Sequence, residues 1–181
     1  MTLLSPSDLC YVHVAQKFIS YVPNAMIKGI LKIEMPYKIV KPHLDLKMQL
    51  SNEVNGANVT YSMHHGTTAS CNAMNLLTNL APSCTSNCGV CGILREGNKM
   101  SYSRSGPGIW FASDSQYSLG YCRNPGIKTM FCVDVLYKTF NNNGIIIIEK
   151  DAFAISWAIC GKIPPYSSYF IDKFIWLTGQ N

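Results

Sequence analysis

Four cysteines near the middle of the chain have the spacing of metal ligands. Twelve, three and two residues separate successive members of this set, which is Cys71, Cys84, Cys88 and Cys91. Thiolates at such spacings converge on one tetrahedral Zn²⁺ ion when a tight turn, here expected at Gly89, brings them within a few ångströms. The spacing therefore predicts a structural zinc site with four thiolate ligands.

The sequence leaves alternatives to this zinc site open. His64 is a weaker choice than Cys71 for the fourth ligand. If the four cysteines bind no zinc, they are free buried thiols or form a disulfide. A disulfide is disfavoured in a cytosolic protein. The remaining cysteines are scattered along the chain and are predicted to be small core residues: Cys10, Cys122, Cys132 and Cys160.

Two further stretches carry side chains that bind or react. They are MHHGTT at 63–68 and GPGIWFASDSQYSLGYC at 106–122, and the second contains three glycines and four aromatic residues. Ser118 and Tyr121 are three positions apart, so a helix presents both on one face. Phe111 is predicted to be a core residue, because neighbouring residues of a strand face opposite ways.

Together these two stretches resemble the signature of the ADP-ribosyltransferases of the poly(ADP-ribose) polymerase type. His-Gly-Thr at 65–67 is followed some forty residues later by Gly-Ile-aromatic-Phe-Ala, then by a serine seven positions after Phe111 and a tyrosine ten after it. Segments 27–49, 92–99 and 129–138 extend the resemblance to about residues 26–177. It implies an α+β fold with a split, mixed β-sheet and flanking short helices, which binds NAD in a cleft.

The resemblance also implies roles for individual residues around NAD. It assigns His65 to a ribose hydroxyl and the backbone of Gly66 to the nicotinamide carboxamide, with Thr67 completing the motif. The Ser118 hydroxyl would bind the same carboxamide, and the Tyr121 ring would stack on the nicotinamide. The run 106–122 is then interpreted as an aromatic-walled slot for a flat ring with polar edges.

Trp110 departs from the family pattern, which usually has a tyrosine at this position. An indole can still form a stacking wall, but its N–H only donates a hydrogen bond. Trp110 is therefore predicted to contact the nicotinamide and the reacting sugar without supplying an acceptor.

A second departure concerns the acidic residue expected near the ribose. Cleavage of the nicotinamide–ribose bond passes through a cationic sugar, which a carboxylate stabilises. The polymerising members of the family supply a glutamate at the start of a late strand, and residues 151–156 contain none. Three interpretations follow: transfer of single ADP-ribose units without that glutamate, substitution by Asp151 or Glu149, or binding without catalysis.

The elements expected to position these residues alternate between helices and strands. Helices are predicted around Val12–Ile19 and over 37–54, 68–80 and 113–122, with Pro42 in the first turn of the second and a Ser or Asp cap on the last. Strands are predicted over 26–36, 60–64, 107–112, 127–138, 144–149, 151–159 and 167–177. Residues 1–25 are interpreted as a lead-in segment and 26–181 as one domain with a cysteine-rich insertion at about 69–91.

Composition favours a packed protein without membrane segments. The chain has 181 residues, 48% of them hydrophobic and 14% charged, with a net charge of +5 from scattered residues. No signal peptide is visible, and charged residues at 149–151 interrupt the apolar run 144–161. We expect an intracellular protein, cytoplasmic or nuclear, with NAD and a macromolecular acceptor as partners. The predicted function is mono-ADP-ribosyl transfer, and the alternative is an inactive module that binds ADP-ribose, NAD or RNA.

Overall fold

A single antiparallel β-sheet organises the chain. The structure, a computed structural model, describes residues 1–82, 84, 87–103, 106, 108–123, 127–140 and 143–163. The seven strands are β1 (Thr2–Leu3), β2 (Met26–Lys32), β3 (Thr60–Gly66), β4 (Ile109–Ala112), β5 (Lys128–Leu136), β6 (Ile145–Ile148) and β7 (Ala154–Ile163). Their spatial order is β1-β2-β7-β5-β3-β4-β6.

The predicted α+β class is confirmed, but the predicted mixed sheet is wrong for the strands that the structure describes. All six neighbouring pairs in the sheet are antiparallel. The sequence patterns locate individual strands but carry no information about the direction of their neighbours, which depends on how the connections run. The predicted strand at 167–177 lies outside the described residues.

Five helices cover the sheet: α1 (Leu9–Tyr21), α2 (Tyr37–Glu53), α3 (Met74–Asn79), α4 (Gly89–Glu96) and α5 (Ser115–Leu119). Short 3₁₀ helices span Met100–Tyr102 and Asp151–Phe153. The predicted cap of α5 is confirmed for Asp114, whose Oδ1 accepts a hydrogen bond from the Gln116 N–H at 2.6 Å. Pro42 lies inside α2 rather than in its first turn, because the helix already begins at Tyr37.

The predicted helix at 68–80 is shorter than expected. Only Met74–Asn79 is helical, because the preceding backbone forms other hydrogen bonds. The Thr68 carbonyl accepts the N–H of Gly89 at 2.9 Å, and the Ser70 N–H contacts the Cys88 sulfur at 3.4 Å. The predicted strand at 151–159 likewise begins only at Ala154, after the second 3₁₀ helix.

Successive strand residues enter the two larger apolar cores, one on each face of the sheet, and a third, smaller cluster joins Leu50 of α2 to Val59 and Leu136. We call the faces the α3/α4 face and the α1/α5 face. On β2, Leu31 enters the first core and Ile30 the second; on β5, Val133 and Cys132 divide in the same way. Val14 and Phe18 of α1 are buried in the second core. Residues 1–25 are therefore packed into the same folded unit as the sheet.

The sheet is nearly divided between β3 and β4. These two strands share one bridge pair, His64 with Ala112, whereas β3 pairs with β5 along seven positions and β4 with β6 along four. This narrow junction lies where the His-Gly-Thr stretch ends β3, beside the strand β4 that contains Trp110.

Candidate functional site

The four cysteines of the predicted metal site come together on the α3/α4 face. Their sulfur atoms all lie within 4.8 Å of one another, and they are Cys71, Cys84, Cys88 and Cys91. The Cys71 sulfur is 3.7 Å from that of Cys88 and 3.6 Å from that of Cys91. Tetrahedral Zn²⁺ with Zn–S bonds of about 2.3 Å places its sulfur ligands roughly 3.8 Å apart. A disulfide needs about 2.05 Å, so these four free thiols have the separation of metal ligands.

Two of these cysteines lie at the start of helix α4, and a third, Cys71, lies in the segment between β3 and α3. Cys88 precedes the first residue of α4 and Cys91 lies in its first turn. Gly89 does not form the predicted turn, because it is the first residue of the helix. The positive φ of 29° before it belongs to Asn87. Gly89 is required for a different reason: a Cβ there would lie 2.2 Å from the Thr67 Oγ1.

The local electrostatics favour thiolate at one ligand. Burial raises the pKa of the Cys88 thiol, but hydrogen bonds from the N–H groups of Cys91 and Ser70 outweigh it and lower the pKa to about 6. Burial raises the pKa of Cys71. Arg95 adds positive charge nearby, where its Nη1 donates to the Cys84 carbonyl. No sequence pattern indicated Arg95, because its contact depends on where the fold places residue 84.

His64 is not part of this cluster, so the alternative prediction that it is the fourth metal ligand is wrong. It is fully buried and its neighbour Met63 enters the α3/α4 core, so the imidazole faces the opposite side of the sheet. Neither ring nitrogen has a hydrogen-bond partner among the described residues. Burial, and then the charge of Lys17, lower the pKa of His64 to about 3, so this side chain is neutral at pH 7.

The narrow junction between β3 and β4 brings His65 and Trp110 together. The His65 Nδ1–H donates to the Trp110 carbonyl at 2.9 Å, across 45 residues of sequence. Its ring lies 5.2 Å from that of Phe111. Burial lowers the pKa of His65, in part offset by the hydrogen bond with Trp110. The imidazole is therefore neutral, and its Nε2 keeps a lone pair that can accept a hydrogen bond.

The indole of Trp110 and the ring of His65 do not meet. Phe111 is 1% exposed, as expected for a core residue, and Trp110 is 38% exposed. Strand alternation sends the Trp110 ring to the other face from Phe111, so only the Trp110 backbone contacts His65.

Helix α5 packs directly against the end of β3. A Cβ at Gly66 would lie 1.9 Å from the backbone carbonyl oxygen of Ser118. The buried Ser118 hydroxyl donates to the His64 carbonyl at 3.1 Å. Gly66 therefore accommodates the protein's own helix, and the contacts of Gly66 and Ser118 with a carboxamide stay predictions.

Two exposed tyrosines lie at the C-terminal end of α5: Tyr117 within the helix and Tyr121 two residues after its last residue. Tyr121 is 45% exposed and Tyr117 is 39% exposed. Their hydroxyl oxygens are 3.2 Å apart, and their ring centroids are 5.6 Å apart. Sequence reasoning selected Tyr121 and missed Tyr117, although the four-residue spacing already places both on one helical face.

Of the two predicted carboxylates, Asp151 lies apart from His65. Asp151 is exposed, and its Oδ1 accepts a hydrogen bond from the Met100 N–H at 2.7 Å. Asp151 precedes β7, whose first residue is Ala154. Ala154 pairs with Val135 of β5, and Val135 pairs on its other side with Tyr61 of β3. Tyr61 is about 13 Å along β3 from His65 at roughly 3.3 Å per residue. Glu149 is exposed directly after β6.

Comparison with known proteins adds no assignment. No protein-family model matches the chain, and no curated protein matches it. Among the described residues, no helix is long and apolar enough to cross a membrane.

Proposed function

We propose that this protein is an NAD-dependent ADP-ribosyltransferase that attaches single ADP-ribose units to a protein or nucleic acid inside the cell. The support comes from the junction between β3 and β4. The two motifs that resemble the poly(ADP-ribose) polymerase signature are distant in sequence, and their His65 and Trp110 are in hydrogen-bond contact there. This contact is the observation that carries the proposal.

The proposed reaction breaks the bond between the nicotinamide nitrogen and the ribose C1′. The bonding electron pair leaves with nicotinamide, a nucleophile of the acceptor bonds to C1′, and the acceptor releases one proton. His65 accepts a ribose hydroxyl hydrogen bond at Nε2, the nitrogen that the Trp110 carbonyl does not use. The rings of Trp110, Tyr117 and Tyr121 are exposed, and in this proposal the Tyr121 ring stacks on the nicotinamide.

A second candidate is a module of the same architecture that binds NAD or ADP-ribose without catalysis. One specific observation favours it: the Asp151 carboxylate already accepts the Met100 N–H, and the residue that begins β7 is Ala154. A carboxylate held in that contact gives no stabilisation to a cationic ribose elsewhere.

We propose in addition that the metal held by the four cysteines is a structural zinc ion. Four thiolates leave no open coordination position on tetrahedral Zn²⁺, which is typical of structural rather than catalytic sites. The sulfur separations of 3.6 and 3.7 Å support this assignment.

The test uses the full chain with NAD and follows free nicotinamide and intact protein mass together. Gly66→Trp is unsuitable as a site variant, because any side chain at Gly66 overlaps the Ser118 backbone and displaces α5. The better variant is Tyr121→Ala, with Tyr37→Ala as its control, since both tyrosines are exposed and Tyr37 lies on α2.

We expect nicotinamide release and mass added in units of one ADP-ribose, with release reduced about tenfold or more by Tyr121→Ala and unchanged by Tyr37→Ala. NAD binding without release would favour the second candidate. Absence of NAD binding would overturn the transferase, and absence of binding to both NAD and ADP-ribose would overturn both candidates.

A further inference from the structure

Thr67 connects the proposed NAD site with the cysteine cluster. We infer that the metal held by the four cysteines fixes the position of residues 65–67, so that NAD binding requires an occupied metal site. This inference rests on the proposed function, and the measurements below separate the two.

The first connection runs through Gly89, which lies between two of the metal ligands. Its N–H donates to the Thr68 carbonyl at 2.9 Å. Its Cα is so close to Thr67 that an added Cβ would lie 2.2 Å from the Thr67 Oγ1 and 2.9 Å from the Thr68 carbonyl oxygen. The start of α4 therefore packs closely against the residues that directly follow Gly66.

A second connection follows the chain from Thr68 to Cys71. The Ser70 N–H contacts the Cys88 sulfur at 3.4 Å, and the Ser70 hydroxyl donates to the Asn87 carbonyl at 3.3 Å. Cys71 then places its own sulfur against those of the cluster. Ala69 and Val90 anchor the two segments in the α3/α4 core. A metal bound by Cys71, Cys88 and Cys91 adds direct bonds between the segments to these apolar contacts and weak hydrogen bonds.

The other side of Thr67 faces the end of α5. The Thr67 N–H hydrogen-bonds the Cys122 sulfur, which counteracts the rise that burial causes in the pKa of that thiol. The Cys122 thiol donates to the Thr129 carbonyl at 3.0 Å. Thr67 is thus held between α4, which carries metal ligands, and the segment that follows Tyr121.

The metal therefore acts at a distance from the reacting atoms. When the ion is removed, the four thiols no longer hold the start of α4 beside residues 67 and 68. Residues 67 and 68 then lose their support from α4, and the end of β3 at His65 and Gly66 is held by its contacts with β5 and α5 alone.

The experiment compares three forms of the full chain: loaded with one zinc ion, stripped by a chelator, and reloaded with Zn²⁺. We expect the Kd for NAD to rise about tenfold or more on stripping and to recover on reloading. An unchanged Kd in the stripped form would overturn the inference.

Two glycines of α4 provide a matched pair of variants. Gly89→Ala places a methyl group against Thr67, whereas a Cβ at Gly92 meets nothing within 4 Å. We expect both variants to bind one zinc ion, with NAD binding weakened only in Gly89→Ala. Equal NAD binding by the two variants would contradict the inference. If Gly89→Ala does not fold, the comparison of stripped and reloaded wild-type protein decides alone.

Amide hydrogen exchange gives a readout that does not require NAD. On stripping, the peptide covering 63–68 is expected to lose protection while that covering 26–32 in β2 keeps it. If no form binds NAD, the proposed function fails, and this exchange pattern still supports or overturns the positioning by the metal. Equal loss in both peptides would mean that the metal supports the whole fold and would overturn the inference.

Discussion

The two faces of the sheet use cysteine in opposite ways. On the α3/α4 face, four cysteine sulfurs lie within 4.8 Å of one another. On the α1/α5 face, Cys122, Cys132 and Cys160 are buried in the apolar core, and no metal-ligand group forms there among the described residues. Burial raises the pKa of Cys122 to about 11 and that of Cys132 to about 12. Convergence of the ligands, rather than the number of cysteines, therefore distinguishes a metal site from a thiol-containing core.

The largest expected effect is the loss of a metal ligand. Cys91→Ser should abolish stoichiometric zinc binding and lower the free energy of unfolding by on the order of 4 kcal/mol, because a bound metal contributes directly to folding. Elemental analysis and denaturant titration in the presence of Zn²⁺ measure both. The exposed Cys10 provides a control, and Cys10→Ser should change neither quantity. If the Cys91→Ser variant still binds one zinc ion per chain, the four converging cysteines of the α3/α4 face are not the zinc ligands, and the contrast between the two faces is wrong.

The second-largest expected effect is a pH dependence of the free energy of unfolding, caused by His64 on the α1/α5 face. The folded pKa of about 3 is below the ordinary value of 6.5, so the unfolded chain binds the proton first. This contribution is fully present above pH 6.5 and is lost between pH 6.5 and 3. At about 1.4 kcal/mol per pH unit, the part lost between pH 6.5 and 4 amounts to at most about 3 to 4 kcal/mol.

His64→Leu tests this effect, with the exposed His13→Leu as its control. Acid also releases the metal, but it does so in all three proteins, so the difference from wild type isolates His64. The stability of His64→Leu measured by denaturant titration should fall less steeply between pH 6.5 and 4 than that of wild type. A profile parallel to wild type would show that His64 is protonated equally in both states.

A smaller effect is expected for a cysteine of the α1/α5 core. Cys160 is 1% exposed, and Cys160→Ala leaves a small cavity that should cost about 1 to 2 kcal/mol of unfolding free energy. Zinc content should stay at one ion per chain. Loss of zinc in this variant would show that the two faces are not independent.

The smallest effect concerns α4 itself and has the opposite sign. Gly92→Ala adds a methyl group to open space in a helix, so the free energy of unfolding should rise by roughly 0.5 to 1 kcal/mol. Thermal unfolding of the zinc-loaded variant measures it. Destabilisation would mean that this side of α4 is covered.

Sequence patterns predicted most elements because their causes are local. Asp114 caps α5 through its own side chain, and the alternation of Trp110 and Phe111 predicted which residue is buried. The prediction of a helix at 68–80 is wrong for the first half of that range. There the Thr68 carbonyl accepts a hydrogen bond from Gly89, and the Ser70 N–H donates to Cys88. Those partners lie far along the chain, and no window of sequence contains both.

The sequence by itself determined which residues can bind a metal, since ligand type and spacing are properties of the chain. It also predicted strand β3 and helix α5 from periodicity and capping. Only the tertiary structure decided which helices cover each face of β3, and therefore how deeply His64 and His65 are buried. Packing alone likewise explains why glycine is needed at 66 and 89. Each position lies so close to another segment that a Cβ would overlap it, and that segment is distant in sequence. The reason is physical: local preferences act between near neighbours, whereas burial, close approach and strand direction arise from segments that meet only in the folded chain.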